Sequence, residues 1–457
     1  MAEKHRTDGG NLSTKLSVDQ ERAVLVGVIL PDSTADPRDP LGELESLVKT
    51  AGGKAVARVV QNRKRIDSGT YIGSGKAIEI AKLAKQNKAD VIIFDNDLSP
   101  GQIGALEKVI NTELDSPVMK NVKVLDRSEL ILDIFATRAQ TAEARLQVEL
   151  AQMEYTYPRL ARMWGHLERL AGGGGSLGIG TRGPGETQLE IDRRLVRKRI
   201  ADLKDDIDKI QARKSRAVQA RNLDHFTVCI VGYTNAGKST LFNTLTAAGT
   251  YADDKLFATL DTKTRAWRIE RGTGVMLSDT VGFVRDLPHN LVASFKATLE
   301  EAIHADLLLH VLDVGHPHAE QQFKSVHEVL GDIGVRVGKA SAQDKPELLL
   351  LNKIDTPEGE AAMPLWRALH PNAIAISAKA GLGLDQLSKA VLDFVRGQRS
   401  DVTLQVDVRD GKLISFIESH TLVRAREIDD TTMRIAVTVG KQTLADLRRN
   451  EGVVILD

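Results

Sequence analysis

The sequence predicts a multidomain α/β protein, and three observations lead there. Residues 22–138 alternate strand-like and helix-like apolar patterns, which marks a parallel sheet covered by helices. An apolar run at 228–231 stops at Gly232-Tyr-Thr-Asn-Ala-Gly237-Lys238-Ser239, and a helical pattern with Leu241 and Leu245 on one face follows. That order of strand, glycine loop and helix predicts a second, doubly wound α/β domain built around a phosphate-binding loop. Between the two lie apolar seams at spacings of three and four, parted by a glycine-rich stretch, the pattern of an antiparallel helical hairpin.

Composition sets the outer limits. Of 457 residues, 42% are hydrophobic and 27% charged, enough for several cores, and the formal net charge is zero, so any affinity for nucleic acid must come from local patches. The single Cys229 rules out an internal disulfide and a cysteine-rich metal site and suits a reducing cytoplasm. No apolar run is long enough to cross a bilayer. Residues 1–20 are polar throughout and read as a disordered tail rather than a secretory signal.

Within an N-terminal α/β domain at 21–138, strands are expected at 23–30, 55–61, 89–94 and 122–125, and helices at 41–51, 76–86 and 100–112. Tyr71-Ile-Gly73-Ser-Gly75-Lys76 is friendly to phosphate but lacks the spacing of a full nucleotide loop. It reads as a tight turn into a helix, with a weak second nucleotide or RNA phosphate site as the alternative. Asn62-Arg-Lys-Arg65 is a basic turn, either a solvated charge cluster or an RNA backbone contact.

Residues 139–223 are expected to form the hairpin. Leu146, Leu150, Met153, Tyr157, Leu160, Trp164 and Leu167 make one seam, and Leu189, Val196, Ile200, Leu203, Ile207 and Ile210 make the other. Pro158 should bend the first helix. The stretch from Gly172 to Gly185 is too rich in glycine to fold alone. Gly172, Gly173, Gly174, Gly175 and Gly183 let backbone approach another surface closely, and Arg182, Arg193, Arg194, Arg197, Lys198 and Arg199 set positive charge beside it. RNA, recognised by shape and phosphate, fits that combination, while a mobile linker beside a solvated helix is the plain alternative.

Residues 224–397 carry the nucleotide chemistry. In the loop Gly232, Tyr233, Thr234, Asn235, Ala236, Gly237, Lys238, Ser239 and Thr240, converging backbone N–H groups cradle phosphate, Lys238 reaches the outer phosphates and Ser239 offers a hydroxyl to Mg²⁺. The strand at 275–279 ends in Asp279-Thr280-Val281-Gly282, where Asp279 would meet Mg²⁺ through water and the Gly282 N–H would meet the γ-phosphate. Phe257, Ala258, Thr259, Leu260 and Asp261 lie on the loop between, with Thr259 as the second hydroxyl on Mg²⁺ and Thr262 as its rival. The base is read from Asn352-Lys353-Ile354-Asp355, since a buried carboxylate at Asp355 accepts from the guanine edge and is left unpaired by adenine. Ser377, Ala378 and Lys379 support the guanine.

These motifs in this order predict a P-loop GTPase that switches as the loops order around the γ-phosphate. The residue after Gly282 is Phe283, which cannot orient an attacking water, so intrinsic hydrolysis should be slow. A potassium ion beside Asn235, or a large RNA or protein partner, is a candidate for the missing element, and Arg265 and Arg285 lie near enough to neutralise charge. A loop-stabilising role for Asn235 stays equally open.

Residues 398–457 alternate at Val402, Leu404, Val406 and Val408, then read as a helix at 413–422, a strand at 433–439 and a helix at 443–449, a small α+β domain with no chemistry of its own.

The strings Thr181-Arg-Gly-Pro-Gly-Glu-Thr-Gln-Leu-Glu-Ile-Asp-Arg-Arg194, Gly232 to Asn243, Leu256 to Thr262 and Asp279-Thr-Val-Gly-Phe283 resemble the HflX family of ribosome-associated GTPases, over nearly the whole chain. The resemblance implies binding to the large ribosomal subunit, with the glycine loop near the peptidyl-transferase region, and splitting of stalled ribosomes in the cytoplasm under stress, with peripheral membrane association as a further option. It also implies a secondary ATP site and RNA unwinding in the N-terminal domain. Phe283 agrees with the family pattern, and a C-terminal extension occurs in many members. A monomer with no membrane insertion completes the expectation.

Overall fold

A computed structural model of the chain describes residues 21–456 apart from 32, 34, 36, 37, 115–121, 172–187, 225, 247–256, 258–261, 271, 272, 286–298, 339–343, 398, 430 and 451. The described residues fall into two compact units, one running to Asp208 and including Phe257, the other holding the rest.

In the first unit, β1 (Arg22–Ile29), β2 (Lys54–Asn62), β3 (Val91–Phe94) and β4 (Lys123–Asp126) form a parallel sheet in the order β2-β1-β3-β4. The inner strands are near-continuous apolar runs because both faces are covered. The cover comes from α1 (Gly42–Thr50), α2 (Ser74–Asn87) and α3 (Pro100–Leu114), whose Ile80, Ala84, Leu106 and Ile110 join Val24, Val26 and Ile92 in one core cluster or, for α1, bury Leu44 and Leu47. Helix α2 starts two residues before its expected bound and stops at Lys88, which sits in the left-handed region at φ 49°.

One helix was not legible. α4 (Arg127–Arg138) follows β4 directly, capped by Asp126, whose side chain accepts from the Glu129 N–H at 2.9 Å. Eight of its twelve residues are buried, which erases the polar face that betrays a helix in sequence. Arg127 opens it at 1% exposure, its guanidinium 2.6 Å from Asp95 and 3.0 Å from Glu43.

The helices α5 (Ala142–Ala171) and α6 (Gln188–Asp224) pack through Leu146, Leu150, Met153, Ile200, Leu203 and Ile207, so the first three positions of one expected seam meet the middle of the other, with Leu150, Leu203 and Ile207 buried and the rest half-buried. Ion pairs Arg199–Glu149 at 2.6 Å and Lys204–Glu154 at 2.8 Å flank this cluster. Pro158 lies inside α5, which continues to Ala171. The side chains of Leu160, Trp164, Leu167 and Leu189 lie outside the described residues, as do residues 1–20.

In the second unit, six strands run in the order β10-β9-β8-β5-β7-β6. They are β5 (Thr227–Gly232), β6 (Lys263–Glu270), β7 (Thr273–Asp279), β8 (Leu307–Asp313), β9 (Glu347–Asn352) and β10 (Ile374–Ala375), parallel except for the hairpin of β6 with β7. Helices α7 (Lys238–Thr246), α8 (Glu300–His304), α9 (Ala319–Asp332), α10 (Pro357–Leu369) and α11 (Leu384–Gly397) connect them. Leu241, Phe242, Leu309, Leu387 and Val391 fill the space over β5.

The last part of the chain is an antiparallel sheet, ordered β12-β13-β11-β14, of β11 (Arg399–Asp407), β12 (Leu422–Asp429), β13 (Thr432–Gly440) and β14 (Val453–Leu456). It carries α12 (Gly411–His420) and α13 (Lys441–Arg449). Strands β12 and β14 were missed in the sequence. β12 is mostly exposed and reads as polar, and β14 has four residues, too few to show a period. Among the described residues no helix is long and apolar enough to cross a membrane.

Candidate nucleotide-binding site

Six buried residues of β5 deliver the chain to the glycine loop at the carboxyl edge of the parallel strands, where such folds bind ligands. Lys238 is buried, and its ammonium donates to the Tyr233 carbonyl at 2.7 Å. Burial pulls its pKa down to about 8, against the attraction of Asp279. Ser239 donates its hydroxyl to Asp279 Oδ2 at 2.8 Å, which brings the two oxygens expected around Mg²⁺ together. Thr280, by contrast, is fully buried and spends its hydroxyl on the Ile230 carbonyl at 2.8 Å, a strut between β5 and the loop after β7.

The segment after β7 lies directly against the glycine loop. Phe283 N–H donates to the Gly232 carbonyl at 3.2 Å and Thr234 N–H donates to the Phe283 carbonyl at 2.7 Å. The Phe283 ring is 1% exposed and Val281 6%, so this residue anchors the segment instead of facing a ligand. Gly282 fits because it has no side chain: a Cβ there would stand 2.7 Å from Thr234 Cγ2 and 2.9 Å from Lys238 Nζ. Tyr233 accepts at its hydroxyl from the Arg285 N–H at 2.6 Å, and Arg265 is exposed on β6.

Asn352, expected beside the base, ties two loops of the site together. It is 2% exposed, its amide donates to the Ala236 carbonyl at 2.7 Å and its carbonyl accepts from the Ala378 N–H at 3.0 Å. One side chain thus joins the phosphate loop to the loop at 377–379. Gly237, at φ +99°, makes room for it, since a Cβ there would lie 2.3 Å from the amide nitrogen. Lys353 adopts φ 63° and pairs with Asp313 at 2.6 Å. Asp313, at the carboxyl end of β8, is a site residue that sequence reading missed, although an acidic residue closing an apolar strand was the available signal. Ile354 packs with the apolar cluster around Leu351 and Trp366. Ser377 is buried and accepts from the Ala380 N–H at 3.0 Å, while Lys379 is exposed.

Asp355 differs from its expected burial. It is exposed, and its carboxylate has no hydrogen-bond partner among the described residues. The physical reason is that the strand ends at Asn352, so Asp355 stands three residues beyond the sheet, on the turn that Thr356 caps for α10.

Asn235 is exposed in the left-handed region at φ 61°. Ala236 is buried, and Thr240 is half-buried on α7. Ala258, Thr259, Leu260 and Asp261 lie outside the described residues, while Thr262 is half-buried just before β6. Phe257, also left-handed at φ 55°, sits in the first unit with its ring edge-on to Phe135 of α4 at 4.5 Å.

Of the expected RNA contacts, Gly172, Gly173, Gly174, Gly175, Arg182 and Gly183 lie outside the described residues. Arg193 is half-buried on α6, and Arg194, Arg197, Lys198 and Arg199 are exposed. Arg197 also bonds the Tyr157 hydroxyl through Nε and stacks over that ring at 5.7 Å. At the other glycine turn, Tyr71 is left-handed at φ 66°, α2 begins just after Gly73, and Lys76 pairs with Glu79 at 2.8 Å.

Residues 38–136, 138–221 and 227–353 match the families described as GTP-binding GTPase N-terminal, GTP-binding GTPase middle region and 50S ribosome-binding GTPase. The chain is 41% identical over 432 residues to the GTPase HflX of Escherichia coli K12, covering 94% of this chain and 95% of the relative. The chain belongs to the HflX family of GTPases. A second relative, the GTPase HflX of Lacrimispora saccharolytica, is also 41% identical over 432 residues, with 94% and 96% covered. That of Caldanaerobacter subterraneus is 43% identical over 383 residues, with 84% and 82% covered. The HflX alignments therefore span the N-terminal sheet, the helices and the nucleotide-binding sheet together.

Proposed function

We propose that this HflX-family chain is a GTP hydrolase that binds the large ribosomal subunit and uses GTP binding and hydrolysis to split stalled or idle ribosomes. The observation that carries the nucleotide part is the convergence of Lys238, Ser239, Asp279 and Gly282 on one glycine loop. Burial lowers the pKa of Lys238 to about 8 despite Asp279, and an entering phosphate would raise it again and draw the ammonium outward from the Tyr233 carbonyl.

Ser239 and Asp279 supply hard oxygen donors 2.8 Å apart, a set that suits Mg²⁺, with Asp279 acting through water and Thr259 as the further hydroxyl. Bound there, the ion neutralises charge on the β- and γ-phosphates. The Gly282 N–H faces the γ-phosphate, and the loop carbonyls and amides tied through Phe283 move with it. Asp355 reads the guanine edge, and the base itself supplies the cover that this exposed carboxylate lacks. Because Phe283 is buried, no side chain directly after Gly282 orients water, so hydrolysis is slow until the ribosome completes the site. Asn235 offers an oxygen to a potassium ion, and equal GTPase rates in KCl and NaCl would remove that ion.

The ribosomal part is supported by the 50S ribosome-binding description matched at 227–353 and by the exposed basic face of α6. Its test is sedimentation of intact ribosomes with the full chain and a non-hydrolysable GTP analogue, beside Lys238→Ala and a deletion of 172–185. Free subunits that appear only with the unmodified chain support it. Intact ribosomes, with the protein at the top of the gradient, point instead to a GTP-binding switch acting through another partner. ATP turnover that survives Lys238→Ala would assign a second nucleotide site to the first unit.

A further inference from the structure

We propose that His310, His327 and Glu347 form a binding site for a divalent transition metal, zinc by its donor set, on the α9 side of the nucleotide-binding sheet. The three come from different elements. His310 lies in the middle of β8, His327 in the last turns of α9, and Glu347 opens β9, which pairs with β8 in parallel register. Their donor atoms all lie within 4.8 Å of one another. Glu347 Oε1 sits 2.7 Å from His310 Nδ1 and 2.9 Å from His327 Nε2.

Two imidazoles and one carboxylate are a zinc set that leaves a fourth position open. Zinc–ligand bonds of about 2.0–2.2 Å in tetrahedral geometry separate the ligand atoms by roughly 3.4 Å. The observed spacings are therefore shorter by about half an ångström or a little more, and a rotamer adjustment of Glu347 or His327 opens them. The rings are already oriented. Phe323 stacks flat on His310 at 5.1 Å with 5° between planes, and meets His327 edge-on at 4.4 Å. His310 is fully buried, whereas the His327 side chain is 31% exposed, which provides a route in from solvent and room for a water ligand.

One feature limits the affinity. Metal on Nδ1 puts the ring proton of His310 on Nε2, and that atom is buried with no hydrogen-bond partner among the described residues. A metal-bound histidine without such a partner binds about 10–100-fold more weakly than one with it. The site therefore belongs with exchangeable metal sites, and it uses none of the residues that hold the nucleotide.

The test uses the full-length, untagged, EDTA-treated chain and zinc alone, by calorimetry and by competition with a chromogenic chelator. One equivalent is expected to bind the unmodified protein. Binding should weaken by about tenfold or more in His327→Ala and in Glu347→Gln, at unchanged GDP affinity. Weak uptake elsewhere, near His316 and His318 for example, persists in both variants and is subtracted. Cobalt(II) substitution gives a second readout on the unmodified chain, the intense visible absorption of a four-coordinate site with nitrogen ligands, which holds even if a variant folds poorly. Zinc uptake that is the same in all three proteins, or a cobalt spectrum of the hexahydrated ion only, overturns the proposal and leaves a hydrogen-bonded histidine–carboxylate triad.

Discussion

Replacing Asn352 by alanine should lower stability and nucleotide affinity together. The side chain is buried, and it alone joins the Ala236 carbonyl, at 2.7 Å, to the Ala378 N–H, at 3.0 Å. Alanine strands both backbone groups. Each unpaired buried group costs about 1–3 kcal/mol, and water entering the small space left behind keeps the sum near the lower end, about 2–3 kcal/mol. For a domain of this size that is a fall in melting temperature of roughly 4–12 °C. Thermal unfolding of the nucleotide-free protein and GDP affinity from a fluorescent analogue measure the two effects side by side. Asp355→Ala is the control: an exposed carboxylate has no stability to lose, but a charged hydrogen bond to guanine, about 1.5–3 kcal/mol, should go with it. An Asn352→Ala protein that melts like the unmodified chain yet loses GDP affinity would refute the strut and return Asn352 to the role of a residue that contacts only the base.

Gly282→Ala brings a Cβ to 2.7 Å from Thr234 Cγ2 and 2.9 Å from Lys238 Nζ, an overpacking of about 1–3 kcal/mol. Thermal unfolding of the nucleotide-free protein should show that loss as a fall in melting temperature of roughly 2–12 °C. Arg127→Ala removes the buried cation that pairs with Asp95 and Glu43, and urea unfolding of the first unit should show a loss of about 3–5 kcal/mol. Asp67 accepts from the Thr70 and Gly69 N–H groups, both at 2.9 Å, and these bonds hold its carboxyl below the ordinary 3.8. A depressed carboxylate contributes stability above the unfolded pKa and loses it as pH falls through the folded one. Amide exchange at Gly69 and Thr70 should therefore be slow at neutral pH, speed up relative to neighbours only below about pH 3.8, and be fast at all pH in Asp67→Ala.

The residues themselves determined much of this protein. Alternating apolar runs specified the parallel N-terminal sheet, because strands buried on both faces must be apolar throughout. The string from Gly232 to Ser239 specified the phosphate loop, because glycines, lysine and hydroxyl at that spacing, after a strand and before a helix, surround a phosphate. Periods of three and four specified α5 and α6. Segments without a local period escaped: α4, buried on nearly every side, and the strands β12 and β14, one mostly exposed and the other four residues long. Within the site, sequence could place Asn352 and Asp355 on one turn but could not tell which is spent inside the protein and which faces outward. Only the tertiary structure decided that, because the partners of Asn352 are Ala236 and Ala378, 116 and 26 residues away. The same holds for Lys353 with Asp313 and for His310, His327 and Glu347. Spacing along a chain encodes faces and turns, whereas meetings across a sheet depend on strand order, which no local pattern records.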